Sequence, residues 1–107
     1  MYIMNTRFVM RYELVKECAN MPVLKTNYTL IKDKDYIYVL GGQFQGQLLS
    51  CCHQYNVATD RWIQISDLVL ARWDAAGLYI NNKVFILGGY NRTRLDSIEV
   101  YSNDRWT

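Results

Sequence analysis

Three consecutive side chains, Cys51-Cys52-His53, are residue types that ligate transition metals. On an extended strand neighbouring side chains point to opposite faces, so only Cys51 and His53 would share one. Two ligands do not make a zinc site, and no second Cys/His pair lies nearby in the sequence. His53 is also the single histidine of the chain, so no nucleophile, base and orienting group can be assembled around it. The expectation is reduced, partly buried thiols, with no metal, no cofactor and no enzyme activity. The glycine pairs Gly41-Gly42 and Gly88-Gly89 raise the question of phosphate binding. A phosphate cradle leads into a helix N-terminus, and no helical pattern follows either pair. A sharp backbone turn at a crowded place accounts for them instead.

What remains is a set suited to contact with another protein. Tyr90, Arg92 and Arg94 follow the second glycine pair, and Phe44 sits in the matching segment after the first. Arg72 and Trp73, on the connection between the two halves, are expected to open onto the same rim. Tyr, Trp and Arg are enriched where binding energy concentrates. Arginines grouped in this way suit an acidic or phosphorylated segment of a partner. The segments Gln43–Gln47 and Tyr90–Arg94 read as loops, free to vary while strands hold the frame.

That frame is written as a repeat. The apolar run Tyr36–Leu40 ends in Gly41-Gly42, and the run Val84–Leu87 ends in Gly88-Gly89, 47 residues later. Tyr55 and Tyr101 are 46 apart, and the tryptophans of Asp60-Arg61-Trp62 and Asp104-Arg105-Trp106 are 44 apart. A period in this range with short strands points to propeller blades. Tyr28–Ile31, Tyr36–Leu40, Leu49–Asn56 and Arg61–Ser66 read as four strands of one blade; Asp74–Ile80, Val84–Leu87, Asp96–Tyr101 and Arg105-Trp106 read as those of the next. In Tyr36–Leu40 both faces are apolar, which demands cover on both sides. Tyr55, Trp62, Tyr101 and Trp106 then read as packing between blades. Trp73-Asp74 suggests a WD repeat, but the dipeptide opens a strand here, whereas in that repeat it ends one.

Bulk composition narrows the partner. The chain has 107 residues, 50% of them hydrophobic and 14% aromatic, which excludes a disordered chain. A net charge of +2 without like-charge blocks argues against nucleic acid and anionic membranes. Cys18, Cys51 and Cys52 are an odd count with no disulfide framework, pointing to a reducing, cytoplasmic setting. Asn27-Tyr28-Thr29 and Asn91-Arg92-Thr93 match the glycosylation sequon. A secreted lectin-like module would need a leader, and residues 1–17 are interrupted by Arg7, Arg11, Glu13, Lys16 and Glu17.

The strand ending in Gly-Gly, the tyrosine, the spaced tryptophan and the Met-Pro-like close together resemble the kelch repeat, over roughly residues 13–107. Met21-Pro22, Asn27-Tyr28, Leu30-Ile31-Lys32 and Asp35–Gly42 look most like the poxvirus kelch-like proteins. The resemblance implies an all-β fold: a partial kelch β-propeller of about two four-stranded antiparallel blades. Residues 1–24 would be the remnant of a preceding blade, 25–70 one repeat, and 71–107 a second repeat truncated in its last strand. In that group a BTB domain precedes the propeller, and the resemblance implies a substrate adaptor for cullin-RING ubiquitin ligases. No BTB segment is visible, and two blades do not close a ring. The expected role is therefore a protein–protein interaction module for a host or viral protein, with a truncated, non-functional remnant as the alternative. Open blade faces would favour self-association.

Overall fold

The computed structural model describes residues 24–107 and, upstream, the backbone of two paired strands, β1 (Ile3–Met4) and β2 (Arg7–Phe8). Apart from these strands and Leu24, the blade remnant expected over residues 1–24 lies outside the described residues.

β3 (Thr29–Lys32) passes into β4 (Tyr36–Leu40) through a turn held by Asp33. Its carboxylate accepts the N–H groups of Asp35 at 2.7 Å and Tyr36 at 2.8 Å, the local bonding that makes aspartate a turn former. At Gly41-Gly42 the backbone leaves the sheet with φ of +62° and +107°. A Cβ on Gly42 would stand 2.7 Å from the Thr26 carbonyl oxygen, so a side chain is excluded there. β5 (Gln43–Phe44) and β6 (Gln47–Leu48) form a small hairpin beside the sheet. β7 (Cys52–Asn56) and β8 (Arg61–Ile65) then complete a four-stranded antiparallel sheet in the order β3-β4-β7-β8.

The second unit repeats this plan. β9 (Ala76–Ile80) and β10 (Lys83–Leu87) are joined by Asn81-Asn82, whose φ values of 52° and 63° suit a tight hairpin. β11 (Tyr90–Asn91) and β12 (Thr93–Arg94) form the second small hairpin. β13 (Ile98–Ser102) and β14 (Arg105–Trp106) close the sheet in the order β9-β10-β13-β14. Asn103-Asp104, at φ 55° and 64°, makes a turn of the same hand.

Two expectations need correction. The segments 43–47 and 90–94 are hairpins where open loops were expected. Each is tied to the chain ahead of its blade by a bridge, Thr26 with Gln43 and Trp73 with Tyr90, and reverses through left-handed residues. The third strand, expected from Leu49, starts at Cys52, because Leu49 donates its N–H to Gly42 and Cys51 accepts that of Gly41. β9 likewise starts two residues after Asp74, whose N–H is donated to Asn27 in the other unit.

The two sheets stack face to face. Ile31, Tyr38, Leu40, Cys52 and Leu68 of the first pack with Val84, Ile86 and Trp106 of the second. Each aliphatic side chain among them contributes about 1.5–3 kcal/mol on burial. Near the inner strands the sheets come closest. Thr29 Oγ1 donates to the Ala75 carbonyl at 3.0 Å, and a Cβ on Gly77 would meet Ile31 Cδ1 at 2.6 Å. At the outer strands Trp106 Nε1 donates to the Ser66 carbonyl at 2.9 Å. β4 is covered on both faces, with Ile37 and Val39 buried opposite Tyr38 and Leu40. β10 is not: Val84 and Ile86 are buried, while Phe85 and Leu87 on the other face are half-exposed. Leu78, Ile80 and Ile98 continue that open face, at 47%, 48% and 54% exposure.

Candidate partner-binding site

The projecting hairpins and the linker between the blades enclose a groove of about 250 Å³. Gln43, Gly46 and Leu48 of the first hairpin line one side; Trp73, Tyr90 and Arg92 line the other. Trp73 and Tyr90 exchange backbone hydrogen bonds at 3.2 and 2.9 Å, and their rings meet edge-on at 6.4 Å. The Arg94 guanidinium lies over the Tyr90 ring, 5.8 Å from its centre, within reach of a cation–π attraction. Asn91 Nδ2 donates to the Ala71 carbonyl at 2.7 Å, which fastens the second hairpin to the linker. On the other side Gly46 donates its N–H to Gln43 Oε1, and Gln43 Nε2 donates to Asn27 Oδ1. Gln43 therefore holds the frame.

Of the six residues expected at the rim, the structure brings Trp73, Tyr90 and Arg92 to one groove, with Arg94 against its aromatic wall. Phe44 is exposed but lies outside the lining, because it alternates with Gln43 along β5. Arg72 corrects the expectation outright: it is 1% exposed. Its Nε donates to Leu70 O, its Nη1 to Gly88 O and Ser97 O, and its Nη2 to Ser97 Oγ and Glu99 Oε2, at 2.8–3.4 Å. All five guanidinium donors are thereby used. Glu99 in turn accepts the N–H groups of Val69 at 2.7 Å and Leu70 at 3.0 Å. Arg72 thus clamps the linker of one blade into the sheet of the next and sets the position of Trp73 beside it. Leu48 and Glu99 were not anticipated. Leu48 lies one residue beyond the segment read as a loop, and Glu99 resembles any solvated strand residue.

The first unit carries a counterpart of this clamp. Lys25 stands 47 residues before Arg72 and is also buried; it donates to Cys51 O at 3.1 Å, as Arg72 does to Ser97 O. The position of Glu99 is taken by His53, buried, whose Nδ1 has no hydrogen-bond partner among the described residues. Burial holds the Lys25 ammonium below its ordinary range, opposed by the neighbouring Cys51. Burial, reinforced by Lys25, pushes His53 down to about 4. Burial pushes the Cys52 thiol up to about 12, so it stays protonated. Among the described residues no three His, Cys, Asp or Glu side chains gather as a metal site.

The aromatic landmarks pair first within a blade. Tyr55 meets Trp62 at 5.0 Å and Tyr101 meets Trp106 at 5.2 Å, each across neighbouring strands. Trp106 also reaches the other blade, through the core and Ser66. The same pair at the same strand positions, twice, is a repeat in three dimensions.

Comparison with known proteins agrees. The model of the Kelch motif matches residues 26–69 and 72–107. The chain belongs to the kelch-repeat family. It is 24% identical over 96 residues to Kelch repeat protein C2 of vaccinia virus, covering 85% of this chain and 19% of that protein. An F-box/kelch-repeat protein of Arabidopsis thaliana is 30% identical over 78 residues, covering 66% and 16%. Kelch-like protein 7 of Rattus norvegicus is 32% identical over 63 residues, covering 58% and 11%. The solved structure of YjhT superposes with a TM-score of 0.75 at 15% identity, over 84% of this chain and 38% of that one. The kelch chain therefore matches 11–19% of the length of these relatives. Its fold is two blades of a kelch propeller. Kelch repeats serve as protein–protein interaction modules. Among the described residues no helix is long and apolar enough to cross a membrane.

Two outcomes follow from the clamp and its counterpart. Glu99→Ala strands a buried guanidinium and is expected to cost about 3–5 kcal/mol in urea unfolding, whereas Arg72→Met/Glu99→Leu together cost less. A single substitution costing under about 1 kcal/mol would show that the ion pair does not hold the blades. For His53, the unfolded imidazole takes a proton near 6.5 and the folded one only near 4. Stability is therefore expected to fall as pH is lowered through that window, and His53→Gln to flatten the slope. Identical slopes would contradict the burial of a neutral His53.

Proposed function

We propose that this chain is a protein-binding kelch module whose contact surface is the groove between its two projecting hairpins. The observation that carries the reading is the meeting of half-buried Trp73 with exposed Tyr90 and Arg92 there, an aromatic and cationic set on a two-blade frame. An acidic or phosphorylated segment of a host or viral protein suits Arg92 and Arg94. On the resemblance to poxvirus kelch-like proteins, the module corresponds to the substrate-holding part of a cullin-RING ubiquitin ligase adaptor, acting in the host cytoplasm. The test is quantitative capture from infected-cell extract with wild type and with Arg92→Ala/Arg94→Ala. Proteins retained by wild type should be lost by the variant; unchanged capture would overturn the assignment of the groove. A remnant without a retained partner would capture nothing in either form.

The open face of the second blade supports a second reading, self-association. It repeats, position by position, the face of the first blade that the second blade covers: Leu78 stands for Ile31, Phe85 for Tyr38, Leu87 for Leu40 and Ile98 for Cys52. An apolar sheet face of this kind attracts another sheet. Light scattering should report concentration-dependent oligomers that Leu78→Lys/Ile98→Lys disperses. A monomer at every concentration would remove this reading.

A further inference from the structure

Nine non-glycine residues among those described have positive φ, and seven of them are Asn or Asp. Those two tolerate the left-handed region because their short polar side chains bond locally. The exceptions are Gln45 at φ 51° and Arg92 at φ 67°, and they sit at the turns of the two small hairpins that flank the groove. Gln45 precedes Gly46, an ordinary tight-turn partner at φ 83°. Arg92 stands alone between Asn91 and Thr93, in a one-residue reversal where Gly would fit without strain.

The hairpin has no use for the arginine side chain. Arg92 forms no hydrogen bond or ion pair with any described residue, and its neighbour Asn91 does the anchoring. Of the six residues that line the groove, Arg92 is the single charged one; Trp73 and Tyr90 share its side, and Leu48 lies across from it. An arginine kept in a conformation that suits glycine, at the edge of an apolar groove lined by no carboxylate, marks a residue retained for what it contacts.

We infer that Arg92 determines the specificity of the groove: it pairs with a carboxylate side chain of an extended partner peptide whose adjacent apolar side chain packs against Trp73 and Tyr90. The inference rests on the interaction-module reading and deepens it. A planar guanidinium binds a carboxylate through two parallel hydrogen bonds, which lysine cannot reproduce. Trp73 and Tyr90 are fixed by their mutual backbone bonds and by the buried Arg72, so the apolar part of the site is formed in advance. The charge at position 92 is then what separates an acidic peptide from its amide analogue.

The probes are an acetylated, amidated peptide Ser-Glu-Leu-Glu-Ser and its uncharged counterpart Ser-Gln-Leu-Gln-Ser, titrated into the full chain with the Trp73 indole N–H followed by NMR. The acidic peptide should shift Trp73 and bind about tenfold more tightly than the amide form, the difference between a charged and a neutral acceptor for the Arg92 fork. Arg92→Gly should erase that preference and raise the melting temperature, because the left-handed turn is relieved. Arg92→Lys should keep only part of the preference. Lys83→Ala, which removes an equal charge from the open sheet face, should leave the preference intact. Equal affinity for both peptides, no binding of either, or an Arg92→Gly chain that keeps the preference would overturn the inference. If Arg92→Ala/Arg94→Ala loses cellular partners while the two peptides bind alike, the interaction reading stands and this one falls.

Discussion

A buried arginine dominates the architecture. Arg72 brings a permanent charge to a site 1% exposed, and a guanidinium in such a place is tolerable only when every N–H finds an acceptor. The chain supplies them from three places: Leu70 in the linker, Gly88 and Ser97 behind the second blade's strands, and Glu99 within β13. None can move without leaving a polar group unpaired. Glu99 is itself tied to the linker through Val69 and Leu70, so linker and sheet hold each other reciprocally. The relative placement of the blades follows, and with it the distance across the groove from Leu48 to Trp73.

The first unit uses the same positions with weaker chemistry. Lys25 has three donors and a compact charge where Arg72 has a five-donor fork, and His53 offers an imidazole nitrogen where Glu99 offers two carboxylate oxygens. In the second unit the carboxylate receives the Val69 and Leu70 N–H groups; position 22, which is 47 residues before Val69, is a proline and has no N–H to give. His53 Nδ1 has no hydrogen-bond partner among the described residues. Two copies of one repeat thus share a backbone plan while differing in the chemistry of the buried pair, Lys25 with His53 and Arg72 with Glu99.

Features dictated by backbone geometry were readable from the sequence. Gly42 and Gly89 are glycines because no Cβ fits beside Thr26 O and Trp73 O, Gly41 because none fits beside Arg72 O, and Gly88 has a φ of +66°; such constraints place the same residue in both repeats at a fixed spacing. Asn81-Asn82 announces its hairpin for the same reason. Strand starts were misplaced where the deciding bond is remote, as for Asp74 with Asn27 or Cys51 with Gly41. Arg72 was misread most clearly. In a linker beside Trp73 an arginine looks solvated, and its partner Glu99 lies 27 residues on with no local mark. The repeat did contain a hint, since Lys25 and Arg72 are both basic at the 47-residue period. Of the groove, the aromatic and arginine side was legible and Leu48 was not, because a two-residue strand leaves too short a pattern to recognise.

On the facing side of the second blade Gly77 on β9 has no side chain, so the innermost strands touch there beside Tyr79 of the same face, while the outer strands β13 and β14 carry Tyr101 and Trp106. The filling between the sheets is therefore a wedge, thin where Ile31 presses on Gly77 and thick where Trp106 reaches Ser66. A wedge fixes an angle, and the angle between successive blades sets the curvature of any array built from them. How many such units would travel a full circle is thus set by how closely the innermost strands approach, with the bare Cα of Gly77 at the apex.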